Sequence, residues 1–249
     1  MIIRKSQEEI EKMREASRIV AGVLDMLEEH IKPGIRTETL DELAEEFIRE
    51  RNGVPSFLGY RGFPASICTS INDVVVHGIP GRTRLKEGDI IGVDVGVIRE
   101  GYQGDAARTY AVGRISDIAI HLMEATKDSL LAGIDACRPG RKLGDVSNAI
   151  QRAVEREGFS VVVQFVGHGI GREMHEEPQI PNFGPAGRGP VLEEGMTFAL
   201  EPMVNEGTYE VEVDGDDGWT VRTADGMLSA HFEHTVAVTT DMPYVLTLP

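Results

Sequence analysis

Basic residues, cysteine and long apolar runs are all scarce in this chain of 249 residues. Lysine and arginine number 25 against 41 aspartates and glutamates, a formal net charge of −16. Phosphate backbones are held by cationic faces, so this balance speaks against nucleic acid as a substrate. The two cysteines, Cys68 and Cys137, are too few for a disulfide framework and lack the paired spacing of a thiolate zinc site. A reducing cytoplasm is the expected compartment. No apolar run approaches the roughly 18 residues of a membrane span. The opening stretch MIIRKSQEEIEKMREAS has no apolar segment of signal-peptide length, so no secretory signal is expected. Proline is sparse, at 12 residues, and no Pro- or Ser-rich linker interrupts a chain that is 41% hydrophobic. One globular domain over residues 1–249 is expected.

What is present is patterned. Ser6 and Glu9 form an S-x-x-E capping box before apolar residues at helical spacing, from Ile10 to Leu27. This helix should stop before Pro33-Gly34, and a second should run from about Glu38 to Arg51. Residues 115–137 and 144–157 repeat the arrangement around Arg138-Pro139-Gly140. KPGIRTETLDELAEEFIRERNG overlays RPGRKLGDVSNAIQRAVEREGF at an offset of 106 residues (138 − 32), with Leu40, Ala44 and Ile48 over Val146, Ile150 and Val154. Strand-like segments follow each helix pair: 66–77 and 89–112, then 160–166, 196–204, 209–213 and 231–238. Two halves, roughly 6–112 and 115–238, each with helices backing antiparallel strands, predict an α+β fold with helices on one face of a curved sheet.

Four acids interrupt these strands. IIGVDVGVIREGYQGDAART reads as a hairpin with Asp94 on one arm and Asp105 on the other. A two-residue loop at Arg99-Glu100 places the two carboxylates directly opposite each other on one face, where like charges are destabilising. Glu201 in MTFALEPM and Glu233 in AHFEHTV repeat the anomaly. Basic residues are nearly absent from these segments, so a shared cation is the economical account of four buried acids.

Histidine supplies nitrogen. His168 lies in VVVQFVGHGIGREMHEEP, flanked by glycines that let it approach a ligand, with His175 seven residues on. His77 ends the strand in INDVVVHGIP. His234, one residue past Glu233, points to the other sheet face and reads as structural, and His30 and His121 fall on helices. Four carboxylates and one imidazole form a hard donor set suited to Mn, Fe, Co or Zn, and their donor count suggests two ions and hydrolytic chemistry. A structural calcium site is the competing account, disfavoured by the histidine and by acids on strands rather than loops.

The ordered segments VVVHGIP, VDVG, GDAAR, GHGIG, HEEP, ALEPM and FEHTV resemble the type I methionine aminopeptidases of the pita-bread metallopeptidase family, over nearly the whole chain. The resemblance implies a pseudo-twofold pita-bread fold and removal of the initiator methionine where the second residue is small. It implies two divalent ions (Co, Mn, Fe or Zn) on Asp94, Asp105, His168, Glu201 and Glu233, with Asp105 and Glu233 as bridges. Glu201 would be the proton carrier, His77 would lie near the amide nitrogen or leaving amine, and His175 on the scissile carbonyl. The methionine pocket would be lined by Tyr60, Phe63, Cys68, His77, Met174 and Trp219. Here Phe63, Phe57 and Met174 stand where relatives often carry Tyr, Cys and Phe, which alters pocket shape and leaves the chemistry alone. A monovalent cation is further implied near Asn72, Val74 and Ser229. Expected partners are nascent polypeptide N-termini and the ribosome from which they emerge, with the protein a cytoplasmic monomer that does not engage membranes. Glu201 and Glu233 are only 32 residues apart (233 − 201), which leaves no room for the type II insertion. A proline-specific peptidase of the same fold is the main alternative function, and a non-enzymatic binding protein would be expected to have lost some of these ligands.

Overall fold

In the computed structural model, which describes residues 1–248, helix α1 (Gln7–His30) begins at the predicted capping box. The Ser6 hydroxyl accepts the Glu9 N–H, and the Glu9 carboxylate accepts the Ser6 N–H at 2.9 Å, satisfying two otherwise orphaned donors. Helices α2 (Thr37–Glu50), α3 (Asp117–Ala136) and α4 (Leu143–Arg156) follow. Helices α2 and α4 start and end 106 residues apart (143 − 37 and 156 − 50). Each is entered through a glycine with left-handed backbone, Gly34 at φ 94° and Gly140 at φ 82°. The repeat in the sequence is thus a repeat in space.

Every strand pairing among the described residues is antiparallel, and with the four helices this gives the expected α+β class. In the first half Ile67–Ile71, Ile90–Arg99 and Tyr102–Ala111 form the main sheet, edged by Val54–Pro55. In the second, Thr197–Leu200 and His234–Ala237 lie with Gly167–Gly169 and Glu176–Ile180 in a five-stranded sheet edged by Tyr244–Val245. Alternation decides which side is which. Ile91, Val93, Val95 and Val97 pack under α1 and α2 against Val20, Leu24, Leu40 and Ile48. Phe198, Leu200 and Val236 pack under α3 and α4 against Leu130, Ile134, Val146 and Ile150. The residues between them, Asp94 and Asp105 included, face the interior between the sheets.

Two expectations are corrected. The hairpin turns at Glu100-Gly101, not Arg99-Glu100: Arg99 pairs with Tyr102, Asp94 with Ala107 and Asp105 with Gly96. Both turn residues are left-handed, at φ 52° and 78°, the geometry of a type I′ turn, and Gly101 tolerates it best. A slip of two residues keeps the face, so Asp94 and Asp105 become diagonal neighbours rather than opposed ones. The second correction concerns 196–204 and 231–238, which are not continuous strands. Thr197–Leu200 breaks at Glu201-Pro202 before Met203–Asn205, and Ser229–His231 breaks at Phe232-Glu233 before His234–Ala237. Pro202 has no N–H to give the ladder. Register survives the break, with Met203 opposite His231 on one side and Leu200 opposite His234 on the other. Glu201 therefore stands across from Glu233 where both chains pass from one sheet to another.

The halves are joined beneath the acids by two threonine hydroxyls. Thr235 Oγ1 accepts the Asp105 N–H (3.0 Å) and donates to the Asp105 carbonyl (2.7 Å). Thr109 Oγ1 accepts the His231 N–H (2.9 Å) and donates to the His231 carbonyl (2.8 Å). Between them the Glu233 N–H donates to the Ala107 carbonyl at 2.9 Å. All of these groups are buried. Thr235→Val keeps the shape of the side chain and strands two buried backbone groups, each worth about 1–3 kcal/mol. The variant is expected to lose about 2–4 kcal/mol of unfolding free energy in urea titrations of the metal-free protein; an unchanged midpoint would contradict this role for the hydroxyl.

Candidate metal centre

Asp94, Asp105, His168, Glu201 and Glu233 all line one cavity of about 160 Å³. Asp105 and Glu233 are buried and Asp94 and Glu201 half-buried, and among the described residues none of the four pairs with a lysine or arginine. Oδ1 of Asp94, Oδ1 of Asp105 and Oε1 of Glu233 have no hydrogen-bond partner at all. Burial pushes the Asp94 carboxyl up to about 7. Asp105, Glu201 and Glu233 are raised well above the usual carboxylate range, first by burial and then by neighbouring carboxylates, Asp94 acting on all three. Orphaned anionic oxygens at this density have one common remedy, a multivalent cation.

The imidazole is oriented to help. His168 Nδ1 lies 2.9 Å from the Gly169 carbonyl, which makes Nδ1 the protonated nitrogen and leaves the Nε2 lone pair free. Nε2 lies 3.4 Å from Glu201 and 3.9 Å from Asp105. Burial and the neighbouring His175 ring hold His168 down at about 4, so it is neutral and able to ligate. One ligand atom each from Asp105, His168 and Glu233 falls within 4.8 Å of the others, a natural seat for one ion. Asp94 and Glu201 enlarge the set beyond that trio. The glycines around His168 serve close packing instead of ligand approach: a Cβ on Gly167 would meet the Ala199 carbonyl at 2.5 Å, and one on Gly169 the Glu177 carbonyl at 2.2 Å.

His77 lines the same cavity with a left-handed backbone (φ 59°), a strained conformation of the kind that clusters at functional sites. Its ring meets the edges of Phe165 (5.7 Å) and Trp219 (6.2 Å), and burial lowers it to about 4. His175 stacks between Tyr60 (5.5 Å) and His168 (4.2 Å). Beside the four acids and His168 lies an apolar recess of Phe63, Cys68, Met174 and Trp219, with Phe63 and Trp219 edge to face at 5.2 Å. Cys68 sits there because it pairs with Asp94 across the sheet. His234 faces away, its Nδ1 2.8 Å from the Thr247 hydroxyl. Asn72, Val74 and Ser229 lie outside the cavity; they meet where the Ser229 N–H donates to the Asn72 carbonyl (2.9 Å), with Asn72 left-handed at φ 54°.

Phe57, expected to shape the pocket, lines the cavity and is admitted because Gly96 has no Cβ, which would lie 2.7 Å from its ring. Two features escaped the sequence: Arg61, which also lines the cavity, and the support of the loop beside it. The loop carrying Met174 and His175 is organised by Glu176, whose carboxylate accepts the Arg172 and Glu173 N–H groups and the buried Lys5 ammonium. Lys5 and Glu176 are 171 residues apart, so no local pattern could have paired them.

Comparison with known proteins places this geometry in context. The model of metallopeptidase family M24 matches residues 11–240. The chain is 55% identical to the methionine aminopeptidase of Clostridium acetobutylicum over 249 residues, 100% of this chain and 99% of that one. It superposes on the crystal structure of methionine aminopeptidase from Rickettsia prowazekii with a TM-score of 0.99 at 46% identity, covering 100% of both chains. An Xaa-Pro dipeptidase from Bacillus anthracis shares the fold at a TM-score of 0.79 and 22% identity, and the chain covers 62% of it.

The raised carboxyl groups make metal binding visible in stability. A carboxyl with a folded pKa above its unfolded value near 4 supports the fold while protonated and loses that support as pH rises through its folded pKa, about 7 for Asp94. The depressed histidines act in the opposite sense, but only below their unfolded pKa near 6.5. Between about pH 6.5 and 8 the metal-free protein should therefore lose Tm, and Mn²⁺ should raise Tm by more at pH 8 than at pH 6.5. Equal shifts at both pH values, or none, in differential scanning calorimetry would contradict the carboxylate site.

Proposed function

We infer that this chain, which belongs to metallopeptidase family M24 and within it to the methionine aminopeptidases, removes N-terminal methionine through the cavity described above. The observation that carries this reading is the convergence of four uncompensated acids and a neutral imidazole on the wall of an apolar recess. We propose that two divalent ions, of Co, Mn, Fe or Zn, would be held by Asp94, Asp105, His168, Glu201 and Glu233. Such ions supply Lewis acidity and a water acidified to near neutrality.

The chain's own residues do the rest. The recess of Phe63, Cys68, Met174 and Trp219, with Tyr60 at its rim, takes the methionine side chain, whose thioether gains contacts with the rings. Burial in this recess excludes water from the reacting bond. Glu201, with its carboxyl raised by burial and by Asp94, takes the proton of the attacking water and passes it to the leaving amine. His175 donates an N–H to the scissile carbonyl oxygen as negative charge develops there, a contribution of about 10²–10³ in rate for one such donor. His77, neutral and held at the opposite wall by Phe165 and Trp219, contacts the amide nitrogen. The crowding of His77, His175 and Tyr60 limits the second residue to a small side chain. A monovalent cation on the Asn72 and Val74 backbone near Ser229 would stiffen the turn between Ile67–Ile71 and Val74–Val76, away from the chemistry. Nascent chains at the ribosome, in the cytoplasm, are the proposed source of substrate, with the enzyme acting as a monomer.

Met-Ala-Ser should be cleaved by the Mn²⁺-loaded protein and Xaa-Pro dipeptides should not; the reverse preference would move the assignment to the proline-specific branch. Exhaustive chelation should abolish turnover and Mn²⁺ or Co²⁺ restore it. Glu201→Gln should lower kcat by about 10²-fold or more while leaving the circular dichroism spectrum unchanged. Retention of more than about a tenth of kcat would remove Glu201 from the proton-carrier role.

A further inference from the structure

We propose that Tyr60 is a positioning residue: its hydroxyl donates to Nδ1 of His175 and so fixes the tautomer in which Nε2 carries the hydrogen offered to the scissile carbonyl. This rests on the reading of His175 given above.

The geometry is specific. Tyr60 Oη lies 2.8 Å from His175 Nδ1 across 115 residues of sequence, and the two rings stack at 5.5 Å and 25°. His175 also meets the His168 ring, tilted at 43° with centroids 4.2 Å apart, so the ring has two aromatic neighbours. Tyr60 itself sits in a turn with little freedom, since Gly59, Arg61 and Gly62 are all left-handed at φ 82°, 49° and 90°. A non-glycine residue is held in that region only where the surrounding structure over-determines it.

A neutral imidazole has one N–H and one lone pair, so the partner of Nδ1 decides what Nε2 offers. Among the described residues Nε2 has no protein partner. Were Nδ1 to donate to the tyrosine oxygen, Nε2 would carry a lone pair and give no hydrogen to a carbonyl oxygen in the cavity that His175 lines. With the phenol as donor, Nε2 carries the hydrogen that the scissile carbonyl oxygen accepts in the complex. A phenol O–H can donate to an imidazole lone pair, and the Arg61 guanidinium, 5.3 Å over the Tyr60 ring, helps hold the phenol in place.

Tyr60→Phe keeps the ring that lines the pocket and stacks on His175, and removes only the hydroxyl. With Met-Ala-Ser and Mn²⁺ it should lower kcat by about 10-fold or more with KM changed by less than about threefold, because the lost interaction serves the transition state. The double variant Y60F/H175A should be no slower than H175A alone, since the hydroxyl acts only through the imidazole. Long-range proton–nitrogen correlation spectra of the zinc-loaded, histidine-labelled enzyme, with the signal assigned by its absence in H175A, should show the Nε2–H tautomer in the wild type and its loss or mixing in Y60F. A slow H175A beside an unchanged kcat in Y60F overturns the tautomer role alone. So does a raised KM at constant kcat, which marks a pocket wall, or independent multiplication of the two losses. A wild-type spectrum with Nδ1–H has the same consequence. An H175A enzyme with full kcat is a different result, because it removes the His175 reading on which the proposal stands.

Discussion

Two threonine hydroxyls, each accepting an N–H and donating to a carbonyl of one residue in the other half, bind the halves together beneath the acids. With the Glu233 N–H bonded to Ala107 between them, they align Tyr102–Ala111 against the broken strand 229–237 in one register. Asp105 and Glu233 are held in the same buried space by backbone groups that cannot relax without losing partners. Repulsion between the carboxylates is therefore built into the frame, not into flexible side chains. That is the condition under which a bound cation returns the most free energy, since the unfavourable alignment is already made when the ion arrives.

The site stands where chains change sheets. Glu201 and Glu233 occupy the two breaks through which 197–205 and 229–237 pass between a five-stranded and a three-stranded sheet. An acid within a regular ladder has neighbours above and below it, whereas at a break the side chain turns into the gap between sheets. Asp94 and Asp105 reach the same gap from the other half by simple alternation, because their odd-numbered neighbours on the Ile90–Arg99 arm are committed to the core under α1 and α2. Around this rigid floor the rest of the cavity wall comes from less regular pieces: the turn at Tyr60, the strained end of a strand at His77, and the loop tied to Lys5 by Glu176. Catalysis of this kind needs fixed charges and a selective rim, and the two demands fall on different parts of the fold.

Much of this was legible in the sequence because it is local. The capping box at Ser6, the helices and their 106-residue repeat, and the shared face of Asp94 and Asp105 all follow from periodicities of 3.6 and 2. The hairpin register was misread by two residues because the turn was placed on Arg99-Glu100, although Gly101 is the residue that accepts a left-handed backbone most readily. The breaks at Glu201 and Glu233 were hidden by apolar residues on both sides, and only Pro202 hinted at them. Arg61 and the Lys5–Glu176 pair reach the site through distant backbone, so spacing carries no trace of them.

By itself the sequence determined which elements form, which of their faces are apolar, and that acids fall where burial would leave them uncompensated; these are properties of a residue and its near neighbours. Only the tertiary structure decided that the acids share one cavity and that Tyr60 meets His175. Such distances depend on how two halves dock through the Thr109 and Thr235 hydroxyls, and a hydrogen bond between residues more than a hundred positions apart has no local signature.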